Sequence, residues 1–117
     1  MTADIEFHHR TPRSDTVVVA VSGEVDTLTG PQLCDRLADA CRALPPGGQV
    51  VADMRSVSFL GCSGLNALVT ALETAQRRGK HLRVVADRPE VLQPLRLTML
   101  DRKLSVDATL GDALTSH

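Results

Sequence analysis

The chain has 117 residues, 43% of them hydrophobic, and a formal net charge of −1. These values predict one globular domain over residues 1–117 and exclude a disordered or strongly charged chain. It contains two Phe and no Trp or Tyr, so it lacks base-stacking aromatic residues and we expect no direct nucleic-acid partner. Without a membrane-length apolar run or a signal segment at its N-terminus, we expect a cytoplasmic protein with reduced cysteines.

The first half of the sequence predicts two strands and a helix. Residues 5–9 are typical of a weak edge strand, and the valine-rich residues 16–22 predict a buried strand that residues 23–26 turn away from. Thr29 is expected to cap a helix opened by Pro31. An apolar stripe along this helix, ended by Pro-Pro-Gly-Gly at 45–48, predicts its buried face.

The second half continues the alternation of strands and helices. Its predicted elements are a buried strand at 50–54, a helix from about residue 65 to Arg77-Arg78 before Gly79, a strand at 82–86, a helix over 87–100 interrupted or delayed by Pro94, a strand at 104–106 and a helix capped by Thr109 that runs through Leu114. Such alternation predicts an α/β fold with a mixed, mainly parallel sheet and helices packed on it.

The segment FLGCSGL at residues 59–65 joins a strand to a helix. Cys62 and Ser63 lie between Gly61 and Gly64, which we predict to form a flexible loop at the start of the helix. A helix N-terminus offers free N–H groups and a partial positive charge, so it suits a phosphate, a thiolate or a docking partner. We therefore expect the functional site at this position.

Topology predicts two acidic neighbours for this segment. Right-handed crossovers place the loops after successive parallel strands at one end of the sheet, where sites are common. Glu24 and Asp26 are therefore expected to border Cys62 and Ser63, either as turn formers or as partner contacts. Asn66 and Thr70 follow at helical spacing, on a polar face that is either solvated or used for docking.

Other chemistries are weaker interpretations. Cys62 at a helix N-terminus suits a thiol redox sensor or nucleophile, but no base or acid partner is evident, so a small residue filling a tight turn is favoured. A C-x5-R phosphatase motif would need Arg where the sequence has Leu68. Cys34 and Cys41 fit a helix core. Adjacent His8 and His9 point to opposite faces of a strand, which spoils chelation by the pair, so we expect no metal site. Because base and acid partners for catalysis are not evident, we expect neither a cofactor nor an enzyme.

Four segments together give the chain a family resemblance. They are VSGEVD at 21–26, Asp53 followed by VSFL at 57–60, CSGLNAL at 62–68 and LTMLD at 97–101. In order and spacing these segments resemble the STAS domain of bacterial anti-sigma factor antagonists, whose corresponding motifs read G-E-hydrophobic-D, D-S-S-G-L-x-x-L and L-T-G-L-D. The resemblance covers nearly the full length and implies a single STAS-like domain.

The resemblance implies a partner-switching role in transcription regulation. Such proteins bind an anti-sigma factor that is also a serine kinase, the kinase phosphorylates the loop, and a serine phosphatase reverses this. The implied partner-binding residues are Glu24, Asp26, Gly61, Cys62, Ser63, Asn66 and Thr70. The fold also serves as a scaffold or adaptor in signalling or lipid-transport complexes, which is the alternative within the family.

This chain departs from the family pattern at the phosphorylation site. Cys62 occupies the position of the usual phosphorylated serine, and Gly61 replaces the preceding Asp. Ser63, one residue on, is the only hydroxyl left in the predicted loop and is therefore the phosphorylation candidate. Met99 stands where the family usually has Gly.

Overall fold

Five strands form one sheet, in the order in which they occur along the chain, in a computed structural model that describes residues 5–115. The elements are β1 (Ile5–Arg13), β2 (Thr16–Val25), α1 (Gly30–Ala43), β3 (Gln49–Leu60), α2 (Cys62–Arg77), β4 (His81–Val85), α3 (Pro89–Leu97), a 3-10 turn (Leu100–Arg102), β5 (Ser105–Asp107) and α4 (Leu110–Thr115). β1 runs antiparallel to β2 and the other neighbours pair in parallel. The predicted α/β architecture with a mixed, mainly parallel sheet is confirmed, while residues 1–4 and 116–117 lie outside the described part.

The sheet is covered by helices on both faces. Buried residues of α1, α2 and α3, such as Leu33, Leu68 and Leu95, share one apolar cluster with alternate residues of the strands. α4 packs on the opposite face, where Ala113 joins Val18 and two further valines of β3 and β4. Because helices cover both faces, the central strands have continuous apolar runs instead of strict alternation.

β2 and β3 are longer than the sequence predicts. The expected turn at residues 23–26 is wrong: β2 stays paired with β3 up to Val25, opposite Leu60, and the chain turns only from Asp26. Two register shifts leave extra residues in β3, and Gly23 has φ of 108°, a conformation that glycine adopts without steric cost. These irregularities bend the strands and hide their continuation in the sequence pattern.

The helices agree with the prediction, with differences at their starts. The apolar stripe of α1 is buried and Gly79, with φ of 68°, follows α2. Thr109 caps α4 by accepting a 3.1 Å hydrogen bond from the N–H of Asp112. α3 begins late, at Pro89, and keeps Pro94 inside it. No helix within residues 5–115 is long and apolar enough to cross a membrane.

Candidate functional site

The carboxyl ends of β2 and β3 are joined at the predicted site. The N–H of Gly61 donates a 2.9 Å hydrogen bond to the carbonyl oxygen of Val25, and Glu24 pairs in register with Phe59. The two segments that topology predicted to be neighbours therefore do lie side by side. Glu24 is exposed and its carboxylate has no hydrogen-bond partner among the described residues.

The expected flexible loop between Gly61 and Gly64 is wrong. α2 begins at Cys62, and Gly61 is an extended N-cap with φ of −92°. Gly64 is buried in the first turn of the helix, where a Cβ would lie 2.4 Å from Cδ1 of Leu60 and 2.7 Å from Cγ1 of Val25. Gly64 is thus required for close packing of the helix on the strand ends, and it does not supply flexibility.

The first turn of α2 presents Cys62 and Ser63 differently. Cys62 is exposed, whereas Ser63 is half-buried against the start of α1. A Cβ on Gly30 would lie 2.5 Å from Cβ of Ser63, so the two helix N-termini are in contact. No side chain caps α2, which leaves the N–H groups of its first turn available to an anion or a partner.

Asp26 shapes the turn between β2 and α1. Its carboxylate accepts hydrogen bonds from the N–H groups of Leu28 (2.9 Å) and Thr29 (3.0 Å), and these bonds lower the pKa of Asp26. The Thr29 hydroxyl donates to the carbonyl of Glu24 and accepts from the N–H of Asp26. Thr29 stands at the predicted N-cap position but stabilises this turn instead of capping α1. Turn formation therefore accounts for Asp26, and a partner contact there stays a prediction.

Two exposed apolar side chains belong to the segments that meet at the start of α2. Leu28, in the turn before α1, is 73% exposed, and Phe59, next to Gly61, is 51% exposed. Asn66 and Thr70 are exposed along α2. We call Leu28, Phe59, Cys62, Asn66 and Thr70 the α2 surface. Exposed apolar side chains that form a contiguous patch are typical of a docking site.

Leu28 was missed from the sequence. It belongs to no apolar stripe and lies between Thr27 and Thr29, so an isolated leucine in a polar turn was the available signal. Phe59 stands in the segment that joins a strand to a helix, and the sequence pattern does not reveal its exposure. Phe59 is exposed although Val57, two residues earlier, is buried, because the register of β3 shifts between these two residues and breaks the alternation of faces.

Asp53 forms an ion pair within β3. It accepts hydrogen bonds from Nε (2.9 Å) and Nη2 (2.7 Å) of Arg55 and a longer one from the Arg55 N–H. Burial raises the pKa of Asp53, but the hydrogen bonds from Arg55 outweigh it and the net shift is downward. A strand-end Asp more often holds neighbouring backbone N–H groups, but here the guanidinium of Arg55 supplies the two shorter hydrogen bonds.

The cysteines are unlinked. Cys41 is buried, Cys34 is half-buried and Cys62 is exposed, and all three are free thiols. Burial raises the pKa of the Cys34 thiol. Within residues 5–115 no three His, Cys, Asp or Glu side chains are placed to hold a metal ion.

Comparisons with known proteins identify relatives for the whole fold. The model of the STAS domain family matches residues 4–113. The anti-sigma-F factor antagonist RsfB of Mycobacterium tuberculosis is 31% identical over 100 residues, which cover 84% of this chain and 78% of RsfB.

Solved structures of anti-sigma factor antagonists have a similar fold. The crystal structure of an anti-sigma factor antagonist from Mycobacterium paratuberculosis is 34% identical, with a TM-score of 0.84 over 96% of this chain and 92% of that one. The phosphorylated form of the Bacillus cell fate determinant SpoIIAA has a TM-score of 0.71 at 17% identity, covering 95% and 98% of the two chains. At that identity the likeness to SpoIIAA shows the shared fold alone.

Proposed function

The chain belongs to the STAS domain family, and we propose that it is an anti-sigma factor antagonist that binds an anti-sigma factor through the α2 surface. Relatives named anti-sigma factor antagonists, 31% and 34% identical over most of the chain, support this assignment. In this role the protein frees a sigma factor for transcription by occupying the anti-sigma factor.

The observation that carries the proposal is the exposed apolar pair beside an uncapped helix N-terminus. Leu28 and Phe59 give a partner apolar area to bury, and full burial of a Leu or Phe side chain is worth about 1.5–3 kcal/mol. Asn66 and Thr70 continue the surface along α2 with polar groups suited to an interface rim. Glu24 adds an exposed carboxylate at its border.

The proposed partner is an anti-sigma factor of the serine-kinase type. A kinase partner would act on a hydroxyl near its contact, and Ser63 is the hydroxyl in the first turn of α2. A phosphoryl group there would add negative charge that the free N–H groups can accept while it disturbs the contact. A serine phosphatase would reverse the change. Cys62, in the more exposed position, has no hydroxyl to modify.

This role is one of binding, and we assign no catalytic residue. Exposed Cys62 has no hydrogen-bonded or ion-paired neighbour among residues 5–115 that would serve as a base.

Purification of partners from the host tests the proposal. The tagged full chain is used as bait with and without ATP, and captured proteins are identified by mass spectrometry. An anti-sigma factor with an ATP-binding kinase domain, captured by wild type and lost with Phe59→Ala, is the expected result. Capture of a transporter or signalling-complex subunit in its place would favour the adaptor role and overturn this one.

A further inference from the structure

A second site lies at the end of the sheet opposite to the α2 surface. A cavity of about 400 Å³ opens where β3, β4 and β5 begin, and Gln49, His81 and Ser105 at those strand starts line it. Its size falls within the range of small-molecule pockets. The α2 surface is at the carboxyl ends of the strands, so a ligand here would leave that surface open.

The walls of this cavity carry positive charge. Lys80, Arg83 and Lys103 line it and no carboxylate does. Arg83 is ion-paired with Asp107 at 3.1 Å. Neither Lys80 nor Lys103 has a carboxylate within ion-pair distance among residues 5–115. Lys103 therefore brings a charge without a carboxylate partner to the cavity, whereas the ammonium group of Lys80 lies against the carbonyl of Cys41, a residue outside the cavity lining.

Lys80 adds a buried positive charge beside the cavity. It is only 8% exposed, and Nζ donates one hydrogen bond, of 2.5 Å, to the carbonyl of Cys41 near the end of α1. An ammonium group has three donors and a buried charge normally has a charged partner. The carbonyl at the negative end of a helix satisfies only part of this requirement.

The cavity also has an apolar side. Leu72 of α2 and Leu82 of β4 contribute to its lining, and Gln76 adds a carboxamide that can donate or accept. An anionic group near the lysines and a small apolar body against the leucines would fit this distribution of groups.

From these features we propose that the cavity binds a small organic phosphate, with the phosphoryl oxygens on the exposed Lys103, in the positive field of the neighbouring Lys80, and the carbon body against Leu72 and Leu82. Lysine binds phosphate as a mobile point charge, which suits a site without the fixed fork of a free arginine.

The test uses phenyl phosphate, inorganic phosphate and phenol as probes in NMR titrations of the ¹⁵N-labelled full chain. Phenyl phosphate should bind more tightly than inorganic phosphate, phenol should not bind, and shift changes should concentrate around Leu72, Gln76 and Leu82. No saturable shift with either phosphate at millimolar concentration would overturn the proposal.

Lys103→Gln, an exposed position, should weaken phenyl phosphate binding at least fivefold. Arg102→Gln removes the same charge one residue away, from a side chain outside the cavity lining, and is the matched control. Equal losses in the two variants would mean non-specific attraction and would also overturn the site.

Discussion

Ser63 and Gly30 are in direct contact, and this contact fixes how the first turns of α1 and α2 meet. A Cβ on Gly30 would lie 2.5 Å from Cβ of Ser63 and 3.0 Å from its carbonyl carbon. A side chain at position 30 would therefore force the first turn of α2 to shift.

Gly30→Ala should destabilise the protein. The added methyl group must displace the first turn of α2, and overpacking of this kind costs about 1–3 kcal/mol. Thermal unfolding followed by circular dichroism should show a fall in Tm of several degrees. Gly111→Ala is the control, because its Cβ would meet nothing closer than 3.9 Å and alanine favours a helix. An unchanged Tm for Gly30→Ala would show that the helix ends are not tightly packed.

Acid stability should depend on Asp53. Because its pKa is lowered in the folded state, its ion pair with Arg55 stabilises the protein above the unfolded-state pKa, near 4, and this contribution is lost as the pH falls further. Arg55 is 41% exposed, so the effect is small, about 1 kcal/mol.

Urea unfolding of wild type and Asp53→Asn between pH 2.5 and pH 7 measures this contribution. Asp53→Asn should be less stable at pH 7 and approach wild type at the acid end. A constant difference across the range would contradict the assigned ion pair.

The sequence predicted the fold better than the details of the site. Valine-rich strands and the Leu33–Leu37 stripe are repeated signals along many residues, so the architecture followed from them. The extension of β2 and β3 depends on irregular strand pairing and on the backbone conformation of Gly23. The alternation of apolar and polar residues in the sequence does not reveal either feature. Gly64 is needed because the side chains of Leu60 and Val25 leave no room for a Cβ. Val25 is distant in sequence, so this contact could not be predicted from the sequence pattern.

Negative charge on the first turn of α2 should weaken partner binding. Cys62→Asp places a carboxylate at the centre of the α2 surface, and Ser63→Asp places one beside it. We expect each to weaken binding of the anti-sigma factor by about tenfold, or ~1.4 kcal/mol, while the Tm of Cys62→Asp stays near wild type. Gln93→Asp, an exposed position on α3, adds the same charge elsewhere. Unchanged affinity in calorimetry for both first-turn variants would count against this surface.

Phosphorylation, if the partner kinase carries it out, should fall on Ser63. Incubation with the partner and ATP, followed by peptide mapping, should locate phosphate there and find none in Ser63→Ala. Cys62→Ser restores a hydroxyl at the more exposed position and should create a second, more rapidly modified acceptor. Phosphate on Thr70 or Ser58 with Ser63 unmodified would exclude the assignment, and no phosphate at all would indicate constitutive binding.

Leu28 and Phe59 are proposed to supply most of the free energy of binding to an anti-sigma factor. The most direct measurement is the Kd of the purified anti-sigma factor of the same host for wild type and three alanine variants, by isothermal titration calorimetry. Phe59→Ala and Leu28→Ala should each weaken binding about tenfold or more, because each removes apolar area that the partner buries. Leu97→Ala, which truncates a leucine 84% exposed on α3, should stay within about twofold of wild type. Wild-type affinity in Phe59→Ala and Leu28→Ala, or a larger loss in Leu97→Ala, would contradict the account.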